Sequence, residues 1–309
     1  MRLIFMGTPE FAVPSLVAVM EAGFSVVSVV TQPDRPRGRG MQVRPTPVKE
    51  KALELGLPVM QPERLSNPKW IEVISELKPE VIAVVAFGQF LPKALLDLPP
   101  KGCVNIHPSL LPLYRGASPI QQAILDGATE TGVTAMYLDE GMDTGDIISQ
   151  VKVPIHEEDD AGILHDRLAK LGADLLVKTL RQIASGTAER HPQDHALATV
   201  TKRLTRDAGR INWHASSSRV ANQVRAYTPW PGAFTMLENR RIKILKAVAK
   251  PDSVEATPGR IVSISDDGLE VACGQGTLLI THLQPESSRS MPASSFVRGY
   301  RVTTDTCFT

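Results

Sequence analysis

"VIAVVAF", residues 81–87, is a run of apolar side chains with no polar position to face water. A strand exposed on one side alternates polar with apolar residues. A continuous β-branched run marks a strand covered on both faces, as in a parallel sheet between two layers of helices. Working outward, the same texture recurs in "RLIFMG" (Arg2–Gly7), "SVVSVVT" (Ser25–Thr31), "CVNIH" (Cys103–His107), "TAMYL" (Thr134–Leu138) and "IISQVKV" (Ile147–Val153). Helical stretches fall between these runs, at 11–22, 48–55, 69–77 and 117–125. The clearest helix follows: Leu164, Leu168, Leu171, Leu175, Leu176 and Leu180 form one stripe that stops at Gly186. Repeated βα units imply an α/β fold with a Rossmann-like, doubly wound, mostly parallel sheet, whose ligands sit at the carboxyl ends of the strands.

The dinucleotide and nucleotide fingerprints are missing. After the first strand comes "MGTPEF", with one glycine rather than G-x-G-x-x-G, and no Walker A sequence occurs. That argues against NAD or ATP. With 309 residues, 42% of them hydrophobic, the chain can bury a large core. No apolar run approaches the roughly 20 residues that cross a bilayer. The opening "MRLIFMGTPEF" reads as a first strand rather than a signal peptide. Cys103, Cys273 and Cys307 are scattered without a C-x-x-C pair, which fits a reducing cytoplasm and argues against a disulfide framework or a zinc site.

The helical pattern fades after Gly186, which suggests a catalytic domain over 1–188, a linker over 189–206 and a second domain over 207–309. The last carries "RIKILKAVA", "GRIVSIS", "GLEVACG" and "GTLLITHLQP", short runs spaced like a small OB-like β-barrel. Residues 1–201 hold 19 Lys and Arg against 24 Asp and Glu, net −5, whereas 202–309 hold 15 against 9, net +6. A basic appendage on an acidic body suits a polyanion, although a solvated surface can show such an imbalance by chance.

Two stretches carry polar groups where packing alone would not ask for them. "NIHPSLLPLYRGASPIQ" (Asn105–Gln121) ends a buried strand on Asn105 and His107, two apart and so on one face. "LDEGMDTGD" (Leu138–Asp146) follows another candidate strand and supplies Asp139, Asp143 and Asp146. If both strands lie in one parallel sheet, both stretches open at the same edge. An amide, an imidazole and a carboxylate would then converge. An amide N–H can donate to a developing oxyanion, His can add a donor or handle an amine's proton, and Asp can orient it. Read singly, His107 would be a core histidine bonded to a carbonyl, and the second stretch an Asp-Gly turn. The spacing makes a poor metal site.

Together, "NIHPSLLPLYRGASPIQ" and "LDEGMDTGDI" resemble the folate-dependent formyltransferases, which use 10-formyltetrahydrofolate. The resemblance implies that Asn105, His107 and Asp143 are the catalytic trio, with His107 as base or as electrostatic donor. Ser109, Leu110, Leu111 and Pro112 match the family's "SLLP" signature. "VVAFGQFLP" (Val84–Pro92) resembles its pterin loop, which places Phe87, Gly88, Gln89 and Leu91 with Asp139 in the folate pocket. Phe87 stands where relatives often carry Tyr, so no polar role follows for it. "MGTPEFAVPSL", "TQPDRPRGRG", "PVKEKALELGLPV" and "RAYTPWPGAF" are similar, in order, to the branch whose acceptor is the α-amine of methionine on initiator tRNA. No metal is implied. With no heptads or long apolar edge evident, the expectation is a cytoplasmic monomer.

"TQPDRPRGRGMQVRPTP" (Thr31–Pro47) sets Arg35, Arg37, Arg39 and Arg44 against one acid, Asp34. Guanidinium groups bind phosphates and stack on bases. By resemblance this loop enters the tRNA acceptor arm, with Arg39 foremost. Arg241 and Lys243, on one face of a strand, and Lys246, on the other, are the second set of phosphate candidates. Tyr227, Trp230 and Phe234 could stack on bases, but aromatics among prolines more often form a packed corner. Rival readings are a relative acting on an amino sugar or a purine-precursor amine, a hydrolase using the same trio, and a non-catalytic RNA-binding protein.

Overall fold

The computed structural model describes residues 1–309 apart from 38, 39, 41 and 253. The chain opens with β1 (Arg2–Gly7), α1 (Val13–Glu21), β2 (Ser25–Val30), β3 (Arg35–Arg37), β4 (Gln42–Arg44), α2 (Pro47–Glu54) and β5 (Val59–Met60). It continues through α3 (Pro68–Glu76), β6 (Val81–Val85), α4 (Lys93–Leu96), β7 (Cys103–His107), β8 (Arg115–Gly116) and α5 (Pro119–Leu125). Then come β9 (Glu130–Tyr137), β10 (Ile147–Pro154), α6 (Ala161–Ser185) and β11 (Val200–Thr201). Local chemistry sets several starts. Pro47 and Pro68 stand at the first helical positions of α2 and α3, behind Thr46 and Asn67, whose side chains accept from Lys49 N and Lys69 N.

Seven strands form one sheet in the order β10-β9-β7-β6-β1-β2-β5. β5, β2, β1, β6 and β7 are mutually parallel. The chain leaves β1 toward β2 and β5, then returns to β6 on the other side. The switch point therefore lies between the carboxyl ends of β1 and β6, where a doubly wound sheet opens its ligand crevice. Ile4, Met6, Ile82, Val84 and Leu95 anchor one layer of the core. β9 runs antiparallel to β7, pairing Tyr137 with Val104 and Thr134 with His107. The parallel arrangement expected for these two strands does not occur.

By internal packing the chain divides into two compact units. One is Met1–Pro119, Thr131–Pro154 and His165–Thr201; the other is Ile120–Glu130, Ile155–Leu164 and Lys202–Thr309. Residues 189–201, expected as connecting chain, are bound into the first unit. His191 exchanges backbone hydrogen bonds with Ile147, and β11 pairs with β8.

The second unit contains α7 (Ser217–Ala226), β12 (Ala233–Leu237), β13 (Arg240–Lys250), β14 (Ile261–Ser265), β15 (Gly268–Ala272), β16 (Thr277–Pro285), β17 (Met291–Pro292) and α8 (Ala293–Tyr300). Its antiparallel sheet runs β12-β13-β16-β15-β14, with β17 also on β16, around a core that includes Ile242, Ile244, Ile280 and Phe296. The OB-like sheet does not close: β12 and β14 do not pair among the described residues. The last residues span that gap. Ile261 N donates to Thr306 O and Phe308 N to Gly259 O, while Thr309 and Met236 exchange two backbone bonds. Phe308, 1% exposed, stacks on Trp213. In the aromatic stretch, Tyr227 and Phe234 are buried and Trp230 is half exposed.

One irregularity changes a side-chain direction. The pairing of β13 with β16 shifts register around Lys246. Ile242 and Ile244 are buried, and the next residue packed on the same core is Ala247. The extra residue, Leu245, carries the alternation across a bulge, and Lys246 comes out on the exposed face with Arg241 and Lys243. The expectation that Lys246 points the other way is corrected, since strict alternation fails at a bulge.

Candidate active site

β7 and the loops beyond β6 and β7 enclose a cavity of about 470 Å³ in the first unit. Asn105 and His107 stand on its floor, 8% and 5% exposed. Its walls are largely apolar, with Phe87, Phe90, Leu91, Leu96, Leu138 and Met142 among them. Apolar walls with a few convergent polar groups are the usual make-up of a small-molecule site.

Among the described residues, no group hydrogen-bonds the side-chain amide of Asn105, although the side chain is buried. Its two N–H donors are free for a ligand. His107 is hydrogen-bonded at one nitrogen and faces a carboxylate with the other. Nε2 lies 3.0 Å from the Tyr114 carbonyl oxygen, which can only accept, so Nε2 carries a proton. Nδ1 lies 3.6 Å from Asp143 Oδ2. That oxygen also accepts from Gly116 N at 2.7 Å. In the neutral ring Nδ1 is thus the nitrogen able to take a proton, and a carboxylate faces it.

Asp143 does not reach His107 by sharing an edge with it. Because β9 is antiparallel, its carboxyl end lies beside the start of β7, where Leu138 N donates to Cys103 O at 2.8 Å. The loop after β9 then returns to bring Asp143 to His107. Asp139 shapes that loop: its Oδ1 accepts from Gly141 N and Thr144 Oγ1. Three non-glycine residues around the cavity hold left-handed backbone: Ala86 (φ 47°), Tyr114 (φ 59°) and Asp143 (φ 55°). Each conformation costs on the order of 1 kcal/mol or more and persists only where its surroundings hold it.

The expected folate residues divide. Phe87, Gly88, Gln89, Leu91 and Asp139 line the cavity. Phe87 is fixed through its carbonyl, which accepts from Thr8 Oγ1 and Gln32 Nε2. The Gln89 side chain is occupied elsewhere, donating to Pro62 O and accepting from Leu65 N. Ser109, Leu110, Leu111 and Pro112 are not in the lining. They form a turn in which Ser109 Oγ donates to Leu113 O, and Thr134 Oγ1 bridges Ser109 O and Leu111 N. "SLLP" shapes the backbone beyond His107 rather than facing the cavity. Phe90 and Met142, 71% and 43% exposed at the rim, escaped the sequence reading. Phe90 could have been found as the exposed aromatic beside Leu91 in the pterin-like loop. Tyr114 O and Gly116 N act through backbone and leave no side-chain signature.

The basic stretch is a ribbon rather than a loop. β3 and β4 pair antiparallel, with Arg35 opposite Arg44 and Arg37 opposite Gln42. Arg35 and Arg44 are exposed. Arg35 lies 3.7 Å from Glu63, an exposed pair of small energetic weight. Arg39 lies outside the described residues. In the second unit, the Arg241 guanidinium stacks 3.4 Å over the Phe234 ring, and Lys243 and Lys246 share its face. Among the described residues, no group of three or more His, Cys, Asp or Glu could hold a metal, and no helix is long and apolar enough to cross a membrane.

Residues 1–180 match the family model described as formyl transferase, and 203–301 match the formyl transferase C-terminal domain. The fold and the site thus fall within a class of one-carbon transferases. A methionyl-tRNA formyltransferase from Moorella thermoacetica is 49% identical over 97% of this chain and 96% of its own length. Another, from Syntrophus aciditrophicus, is 45% identical over 98% of this chain and 97% of its own. The chain belongs to the methionyl-tRNA formyltransferase family. Among solved structures, an N-formyltransferase from Helicobacter canadensis in complex with folinic acid and dTDP-3-aminofucose shares the fold. Its TM-score is 0.69 at 21% identity, covering 94% of this chain and 99% of that one.

Proposed function

We propose that this chain transfers the formyl group of 10-formyltetrahydrofolate to the α-amino group of methionine on initiator tRNA, as a cytoplasmic monomer serving translation initiation. The observation that carries the reading is the pairing, in one cavity, of an unpartnered buried amide with a His107 that faces a carboxylate. The apolar walls suit a flat pterin, and Phe90 and Met142 at the rim suit its aryl tail. The amine attacks the formyl carbon directly, without a covalent enzyme intermediate. An α-amine has a pKa near 8, so a substantial share is neutral at working pH. Asn105 donates to the oxyanion of the tetrahedral intermediate. His107 takes the amine's proton at Nδ1, and Asp143 stabilises the imidazolium that results. The intermediate then collapses by breaking the bond between the formyl carbon and N10 of the folate, which leaves as tetrahydrofolate carrying the proton that His107 returns.

Arg35, Arg37 and Arg44 on the ribbon, Arg39 between its strands in the sequence, and Arg241, Lys243 and Lys246 on the second sheet contact tRNA phosphates. Like charges directly opposite one another on a ribbon repel. Arg35 opposite Arg44 is therefore an arrangement that a polyanion relieves. The test is direct. Protein, 10-formyltetrahydrofolate and charged initiator tRNA are mixed, and formyl-methionyl-tRNA is measured. Comparable turnover on free methionine, an amino sugar nucleotide or water would overturn the choice of acceptor.

A further inference from the structure

We infer that Gln193 and Arg115 are positioning residues for Asp143, and that residues 193–201 belong to the catalytic apparatus rather than to a passive connection. The inference rests on the reading of Asp143 as the partner of His107. Gln193 is 6% exposed, and its amide is committed on every side. Nε2 donates to the carbonyl oxygens of Asp143 at 2.9 Å and Gly145 at 2.7 Å. Oε1 accepts from Arg115 Nε at 3.1 Å and Nη2 at 2.7 Å. Carbonyls only accept and a guanidinium only donates, so the amide has a single orientation.

Arg115 is itself 6% exposed, and no carboxylate pairs with it among the described residues. Its Nη2 reaches His195 Nδ1 at 3.1 Å. A buried guanidinium without a counter-ion is costly, so packing alone does not account for it.

The bonds close a ring. Asp143 gives its carboxylate to Gly116 N, next to Arg115, and its carbonyl to Gln193, which Arg115 grips. The residue before Arg115 is Tyr114, whose carbonyl takes His107 Nε2. Residues 114–116 thus hold both members of the pair. They are fastened from behind by Thr199 Oγ1 to Tyr114 N at 2.7 Å and by Thr201 Oγ1 to Arg115 O at 3.0 Å. The ring holds Asp143 in its left-handed conformation and fixes the carboxylate that His107 faces.

The test uses the full-length protein and measures kcat and both KM values for Gln193→Glu, in the parent and in an Asp143→Ala background. The new carboxylate keeps Arg115 but cannot donate to the two loop carbonyls. Gln193→Met removes the same bonds without adding charge, and serves if the first variant fails to fold by thermal unfolding. A misplacement of about 1 Å can cost roughly 10² in rate, so kcat falls about 10- to 100-fold. Both KM values stay within about twofold, since ground-state binding is untouched. In Asp143→Ala the same substitution changes kcat by less than about twofold, because the group it positions is gone. An equal loss in both backgrounds, a KM effect at unchanged kcat, or parental activity would overturn the inference. Parental activity of Asp143→Ala alone would overturn the pair itself, which that control distinguishes from failure of the ring.

Discussion

The proposed roles of Asn105 and His107 differ, and their substitutions separate the two. The Asn105 amide has no partner among the described residues, so its removal breaks no network there. Asn105→Ala should lower kcat by about 10²–10³, the usual cost of one oxyanion donor, with little change in either KM. A raised KM for tRNA at unchanged kcat would assign Asn105 to binding instead. In the proposed mechanism His107 and Asp143 act as a unit across the 3.6 Å between Nδ1 and Oδ2. His107→Ala and Asp143→Ala should each be severe, and the double variant should be little worse than the more severe single one. Multiplicative losses would mean that Asp143 does not work through His107. Asn105, His107 and Asp143, which the sequence reading brought together, do meet at one cavity: Asn105 and His107 are polar residues in an otherwise apolar strand, and Asp143 lies in the loop after another. Their supports were not legible in the sequence: Tyr114 O and Gly116 N are backbone atoms, and Gln193 lies 50 residues beyond Asp143. "SLLP", read as a folate-family signature, forms a turn beside the cavity's strand.

Continuous Val and Ile runs gave most of the first sheet, and β1 and β7 fall within the expected bounds. The two-residue β5 is too short for a periodicity to register, and the direction of β9 has no local signature. The bulge in β13 is a third such feature, and it matters for charge. With Lys246 on the face of Arg241 and Lys243, Lys246→Ala should weaken tRNA binding and reduce the slope of log affinity against log salt by about one. The melting temperature should hardly move, because the side chain is exposed. A loss of stability with an unchanged salt slope would place Lys246 on the inner face after all.

At the scale of the molecule, neither unit is a continuous length of chain. Ile120–Glu130 and Ile155–Leu164 pack in the second unit, where Arg219 donates to Leu125 O and Arg225 to the carbonyls of His156, Glu157 and Asp159. A fragment ending at Thr201 keeps those two segments but loses the residues that hold them. It should melt well below the full chain and with a broader transition, as circular dichroism would show. A fragment as stable as the parent would mean that the two segments hold themselves. Composition pointed to two bodies, but linear reading could not reveal this interleaving. Contact across long sequence separation leaves no local pattern. The last residues of the chain show what such contacts do for the whole. Residues 306–309 lie between β12 and β14, occupying backbone groups on both sides. They act as a stopper. Pulling them out would uncover Trp213 and offer two unpaired strand edges to any neighbouring molecule, which is how soluble sheet proteins begin to stick to one another. Four terminal residues thus keep the open edges of the second unit's sheet covered.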